Sequence, residues 1–165
     1  MKKNGIITNN KIKYSYILLD LSNFVKWIEM NKDILKSIEN LMSIHRNQNI
    51  FNIITLIDEA LTETNKNTYY FFIYKDNEII TSCRLIIDKK NNAYINMVHT
   101  NKNYRGQGLC NKNISKVIQL TNDKIKKYTL DVDKKNIYAI KCYKLVGFNF
   151  SKNNKNLEYY RMFYI

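Results

Sequence analysis

The chain contains no proline, two histidines and four glycines among its 165 residues. Without proline, a frequent marker of turns and helix starts is missing, and element boundaries rest on apolar periodicity and on Asn, Asp and Gly. Two histidines, His45 and His99, are too few for a metal centre, and none is expected. No run of about 18 apolar residues exists, which excludes a membrane-spanning helix. The basic start Met1-Lys2-Lys3-Asn4-Gly5 leads into no apolar segment of the secretory kind, so a cytoplasmic location is expected. Cysteine is scarce too. Cys83, Cys110 and Cys142 are odd in number, widely spaced and free of any Cys-x-x-Cys pair. That argues against a disulfide framework or a zinc site and predicts reduced thiols. Acidic residues number 14 against 27 basic ones, a formal charge of +13. Such a balance suits anionic partners. The lysines are scattered rather than gathered in one block, so a solvated basic surface is read ahead of a nucleic-acid face.

What is present points to a mixed domain. The length fits one core. Residues 1–12 read as a flexible polar tail and 13–165 as a single domain. Tyr14 to Leu19 reads as a strand. Asp20 or Ser22 can cap a helix with Leu21, Phe24, Val25 and Ile28 on its buried face. A second helical pattern carries Leu35, Ile38, Leu41 and Met42, and a third runs from about Ile50 to Leu61, with His45 between them. Thr68 to Tyr74 and Glu78 to Asp88 form a hairpin about Asp76-Asn77. Lys89 to Asn92 is a polar turn before a strand at Ala93 to Thr100. A helix at about 107–121, a strand near Tyr128 to Asp133, a helix behind Asn136, a short strand at Phe148 to Phe150, a turn at Asn153-Asn154 and a last strand at Leu157 to Tyr164 complete the order. Antiparallel strands followed by strand–helix–strand–helix indicate an α+β fold.

The distinctive stretch is Arg105-Gly106-Gln107-Gly108-Leu109-Cys110. Two glycines one residue apart let the backbone curl tightly and bring its N–H groups close to a ligand. A β-rich run precedes the turn. A helical pattern follows it, with Cys110, Ile114, Val117 and Ile118 on one face. Strand, glycine turn and helix start together make an anion site, because free N–H groups and the helix dipole converge there. Arg105 adds a donor suited to phosphate. The run is not a P-loop, for it lacks a Gly-Lys-Ser/Thr ending, and it is not a dinucleotide fingerprint, which needs a third glycine.

Two segments together resemble a known family. The first is Arg105 to Cys110 preceded by Val98-His99-Thr100. The second is Leu130-Asp131-Val132 followed by Asn136, Ala139, Tyr143, Gly147 and Phe148. Their spacing resembles the GCN5-related N-acetyltransferases, the GNAT superfamily, over about residues 68–150, and the N-terminal third agrees by element order. The resemblance implies a central mixed, mostly antiparallel sheet of about seven strands with flanking helices. It also implies acetyl-CoA held between two splayed parallel strands, here 93–100 and 128–132. In the stretch Val98, His99, Thr100, the backbone of Val98 and Thr100 would bond the pantetheine arm. Backbone N–H groups of Arg105, Gly106, Gln107, Gly108, Leu109, Cys110 and Asn111 would cradle the pyrophosphate. Asn136 would bond the cofactor arm, and Tyr143 would point its hydroxyl at the thioester sulfur. Cys110 departs from the family's Gly or Ala; read as a small buried side chain, it is tolerated there. Lys102 stands where the family often has proline.

The activity so implied is attack of a primary amine, on a small molecule or a protein, on the acetyl thioester in a ternary complex. The Val98 N–H would polarise the carbonyl, and Tyr143 would act as general acid for the leaving thiolate. The base is not evident. Where some relatives carry Glu this chain has Tyr94, and no carboxylate lies between Asp88 and Thr100. Tyr94, Asn96 or His99 would carry a water chain. The acceptor region would be formed by about 30–48 and 151–156, and a neutral small amine or an acidic peptide terminus suits its basic surroundings. The enzyme is expected as a monomer or homodimer. The alternative is a catalytically idle acyl-CoA-binding or nucleic-acid-binding module on the same fold.

Overall fold

The computed structural model describes residues 1–46, 67–152 and 156–165, with 41–46 described as backbone only. Its elements run β1 (Lys2–Asn9), β2 (Ile12–Asp20), α1 (Leu21–Met30), α2 (Lys32–Arg46), β3 (Thr68–Lys75), β4 (Glu78–Ile87), β5 (Asn92–Thr100), a 3₁₀ turn (Lys102–Tyr104), α3 (Leu109–Thr121), β6 (Lys127–Asp133), α4 (Ile137–Val146), β7 (Asn149–Phe150) and β8 (Tyr159–Tyr164). Eight strands form one sheet in the order β1-β2-β3-β4-β5-β6-β8-β7. Every neighbouring pair is antiparallel except β5 and β6. This is the α+β architecture expected, with one strand more than the seven counted. The expected helix at 50–61 and the turn at Asn153-Asn154 lie outside the described residues. His45 falls within α2 rather than between two helices.

The additional strand corrects the reading of residues 1–12 as a flexible tail. Lys2–Asn9 pairs with β2 along its whole length, from Lys2↔Leu19 to Asn9↔Ile12. The connecting pair Asn10-Lys11 has φ of 48° and 64°, the left-handed pair of a two-residue hairpin turn. Gly5 sits in this strand because a Cβ there would lie 2.7 Å from the Tyr16 hydroxyl. β1 looked like a tail because it is a polar edge strand whose outer face is exposed.

Helices cover both faces of the sheet. On one face α1 and α2 bury Phe24, Trp27, Ile28, Ile34 and Ile38 against Ile17, Leu19, Tyr70, Phe72 and Ile79. Asp20 caps α1, accepting from the Asn23 amide at 3.0 Å. Phe24 stacks on Tyr70 with centroids 4.4 Å apart. On the other face α3 and α4 bury Leu109, Ile114, Val117, Cys142 and Tyr143 against Ala93, Ile95, Leu130 and Val132. Each fully buried aliphatic or aromatic side chain contributes about 1.5–3 kcal/mol, so both helical layers are pinned. No helix among the described residues is long and apolar enough to cross a membrane.

Candidate active site

The site begins where the one parallel ladder stops. β5 and β6 are in register only at Asn92↔Lys127, Ala93↔Tyr128 and Tyr94↔Thr129. Beyond that rung β5 stays paired with β4 up to Thr81↔Thr100, and β6 stays paired with β8 up to Asp133↔Tyr159. Each strand is therefore held from its outer side while the inner edges part. The parallel strands expected to splay are these two.

A bulge shapes the β5 wall of this fork. Pairing with β4 slips between Ser82 and Arg84, and Met97 has φ of 50°. The additional residue reverses the alternation of faces. Ala93 and Ile95 pack toward α3 and α4, but Met97 packs with the α1–α2 layer and Val98 returns to the α3–α4 side. The Ser82 hydroxyl on β4 donates to the Met97 carbonyl at 3.4 Å. The Thr100 carbonyl accepts from Arg105 Nε at 3.1 Å. The sequence cast both groups as cofactor contacts, and here they bond each other. His99 lies opposite Ser82 on the β4 side of the ladder and is half-buried.

The glycine turn closes the wide end of the fork. Gly106 and Gly108 have φ of 77° and 72°, a backbone that side chains with a Cβ rarely adopt. A Cβ on Gly106 would meet nothing within 4 Å. Gly108 is the N-cap of α3 and makes no side-chain cap bond. The first amide to close a helical turn is that of Lys112, onto Gly108 O at 3.3 Å. The amides of Leu109, Cys110 and Asn111 precede it and have no acceptor within the helix. Among the described residues these N–H groups meet no acceptor, and such a run at a glycine turn suits a diphosphate, the group the turn was expected to hold. The β1–β2 hairpin braces the turn: Asn9 Nδ2 donates to Gln107 O at 3.0 Å, and Lys112 Nζ donates to Thr8 O at 3.0 Å. Behind the turn, Glu78 accepts from Asn101 Nδ2 and from the Tyr104 hydroxyl, each at 2.8 Å. The second bond pushes the Tyr104 phenol up to about 12.

Helix α4 supplies the facing wall. Asn136 caps it, its Oδ1 accepting from the Ala139 amide at 3.1 Å. Gly147 ends it with φ of 110°, as a C′ glycine does. Tyr143 is 6% exposed. Burial first, then nearby Cys83 and Tyr94, push its phenol well above the ordinary tyrosine value, so it stays protonated and can donate. The reading of Cys110 and Cys142 as free thiols is corrected here. The two are joined in a disulfide with Cα atoms 6.1 Å apart. They stand 32 positions apart in the chain, a spacing no short motif reveals, but the fold lays α3 beside α4. Cys110 is half-exposed rather than buried. Cys83 remains a buried free thiol.

One group escaped the sequence reading. Asp131 on β6 accepts from the Tyr94 hydroxyl at 3.3 Å, and its two oxygens accept from Arg161 Nε and Nη2 at 2.8 and 2.7 Å. The guanidinium holds the Asp131 carboxyl below the usual range. Burial and then Asp131 raise the Tyr94 phenol, although the guanidiniums of Arg161 and Arg84 act against this. Arg84 Nε donates to Asn96 Oδ1 at 3.0 Å. Tyr94 and Asp131 stand on the face opposite α3 and α4, so the strand alternation held the signal; their pairing needed the parallel register. Of the expected acceptor region, residues 47–48 and 153–155 lie outside the described residues.

The geometry has known counterparts. The GNAT domain of S. lividans PAT superposes with a TM-score of 0.72 at 8% identity, covering 98% of this chain and 96% of that one. A GNAT family acetyltransferase from Staphylococcus aureus gives 0.61 at 17%, covering 98% of both chains. One from Elizabethkingia anophelis, solved with acetyl-CoA bound, gives 0.54 at 18%, covering 66% of this chain and 80% of that one. Identities this low speak for the fold alone. Comparison with curated protein sequences finds no match. The sequence profile of the acetyltransferase (GNAT) family matches residues 38–148, more than half of the chain and the whole of the fork, and the chain therefore belongs to the GNAT acetyltransferase family.

Proposed function

We propose that this protein transfers the acetyl group of acetyl-CoA to a primary amine within a ternary complex. The observation that carries the reading is the early end of the β5–β6 ladder at Tyr94↔Thr129, beside a glycine turn with unclaimed amides. The relative from Elizabethkingia anophelis, which holds acetyl-CoA on the same fold, supports it.

Bound acetyl-CoA supplies an acyl group already activated as a thioester. The amides from Gly106 to Asn111, with Arg105 at their edge, bind the diphosphate. The inner edge of Val98, His99 and Thr100 lines the pantetheine arm, and Asn136 lies at the opposite rim. The Val98 N–H donates to the carbonyl oxygen as negative charge develops there. As the C–N bond forms and the C–S bond breaks, the Tyr143 hydroxyl, kept protonated by burial, gives its proton to the departing sulfur; the proton shed by the acetylated nitrogen passes to solvent, which reprotonates Tyr143. Holding both reactants in contact accounts for about 7–11 kcal/mol of the barrier. Freeing an ordinary alkylamine of its proton at neutral pH costs roughly 4–5 kcal/mol, so the face that receives the amine matters.

The test is twofold. Acetyl-CoA at 100 times its Kd should stabilise the folded protein by about 2.7 kcal/mol, visible as a rise in Tm. A panel of primary amines should release CoA thiol in the presence of the protein. An unchanged Tm at millimolar acetyl-CoA, with no thiol released by any amine, overturns the reading.

A further inference from the structure

The sheet face opposite α3 and α4, the face of α1 and of residues 32–46 where the acceptor is expected, has no carboxylate on β5, and the neighbouring strand β6 provides one, Asp131. Tyr94 stands at the last rung of the parallel ladder. Asp131 lies two residues beyond Thr129, on the part of β6 that has already left β5. The Tyr94–Asp131 bond of 3.3 Å therefore spans the inner end of the fork through side chains. It is long for a hydroxyl donor, so it orients more than it stabilises. Asp131 is itself fixed, because Arg161, its cross-strand partner on β8, grips both of its oxygens.

This arrangement dictates what the Tyr94 oxygen offers. An ionised carboxylate only accepts hydrogen bonds. The single phenol proton is directed to Asp131, and the remaining lone pairs on Tyr94 Oη can only accept. A group arriving on that face must bring a donor. A neutral primary amine brings two N–H groups, gives one to Tyr94, and keeps its nitrogen lone pair for the thioester carbon.

We propose that Tyr94 receives the acceptor's nitrogen through one N–H, and that Asp131, clamped by Arg161, is the positioning residue that holds the phenol's proton aside. This rests on the acetyl-transfer reading above, and the experiment separates the two. Wild type, Tyr94→Phe, Asp131→Asn and the double variant are assayed for thiol release with benzylamine, glycinamide and 1,5-diaminopentane, using the amine that wild type turns over fastest. Tyr94→Phe should lower kcat/KM for the amine at least tenfold, with the acetyl-CoA KM and the acetyl-CoA-induced rise in Tm unchanged within twofold. Asp131→Asn should cost a similar factor. Its one remaining acceptor oxygen is drawn to Arg161, its NH2 then faces Tyr94, and the phenol's proton is released from its post. Added to Tyr94→Phe, Asp131→Asn should cost nothing further. A Tyr94→Phe enzyme within twofold of wild type, or an Asp131→Asn loss undiminished in the Tyr94→Phe background, overturns the proposal while leaving acetyl transfer standing. Failure of wild type to bind acetyl-CoA brings down the acetyl-transfer reading instead.

Discussion

Cys110, the second residue of α3, is bonded to Cys142, the residue before Tyr143 in α4. A covalent link thus ties the helix that follows the glycine turn to the helix that carries the candidate acid. Fully denatured protein should expose one reactive thiol, Cys83, before reduction and three after it. With the bonded pair 32 positions apart, chain entropy predicts that reduction destabilises the fold by roughly 3–4 kcal/mol, seen as a lower Tm in reductant. Three reactive thiols in the unreduced, denatured protein would remove the link.

Tyr143→Phe tests the acid. The ring packs 6.2 Å from Phe148 and Phe keeps that packing, so stability should change little. Loss of the hydroxyl should lower kcat by about 100-fold and leave acetyl-CoA affinity within twofold. Because burial raises the phenol's pKa, Tyr143 should add no loss of kcat as pH rises toward 10. Unaltered turnover in the variant would take Tyr143 out of the reaction.

Much of this site was legible in the residues. Gly147 was read as a helix C′ residue and has φ of 110°, and Asn136 was read as a cap and accepts from Ala139. Both are local signals, carried within one turn of helix. The strand, glycine turn and helix start were legible for the same reason. The missed features are those that join distant parts of the chain. β1 is an edge strand with a polar outer face, and its Asn10-Lys11 turn contains no glycine. The Cys110–Cys142 bond depends on two helices lying side by side. The pairing of Tyr94 with Asp131 depends on a parallel register that no local pattern encodes.

Asp131 gives a pH test of the fork's inner end. Arg161 lowers its folded pKa below the roughly 3.9 of an unfolded chain. Its contribution is therefore fully present above that value and is lost as pH falls through the lower, folded value. Arg161 is 59% exposed, so the pair is screened and contributes only about 0.5–1 kcal/mol. Asp131→Asn should be less stable than wild type at pH 7, with the difference closing as pH falls below the ordinary carboxylate range. A difference that stays constant down to pH 2 would deny the pair its role.

The most direct measurement of the central claim is amide hydrogen exchange with and without acetyl-CoA. Exchange should slow at residues 106–111 and at Val98 on β5, with β1 to β4 unchanged apart from any general stabilisation. Protection confined to other elements, or none at saturating acetyl-CoA, would contradict a cofactor lodged between β5 and β6.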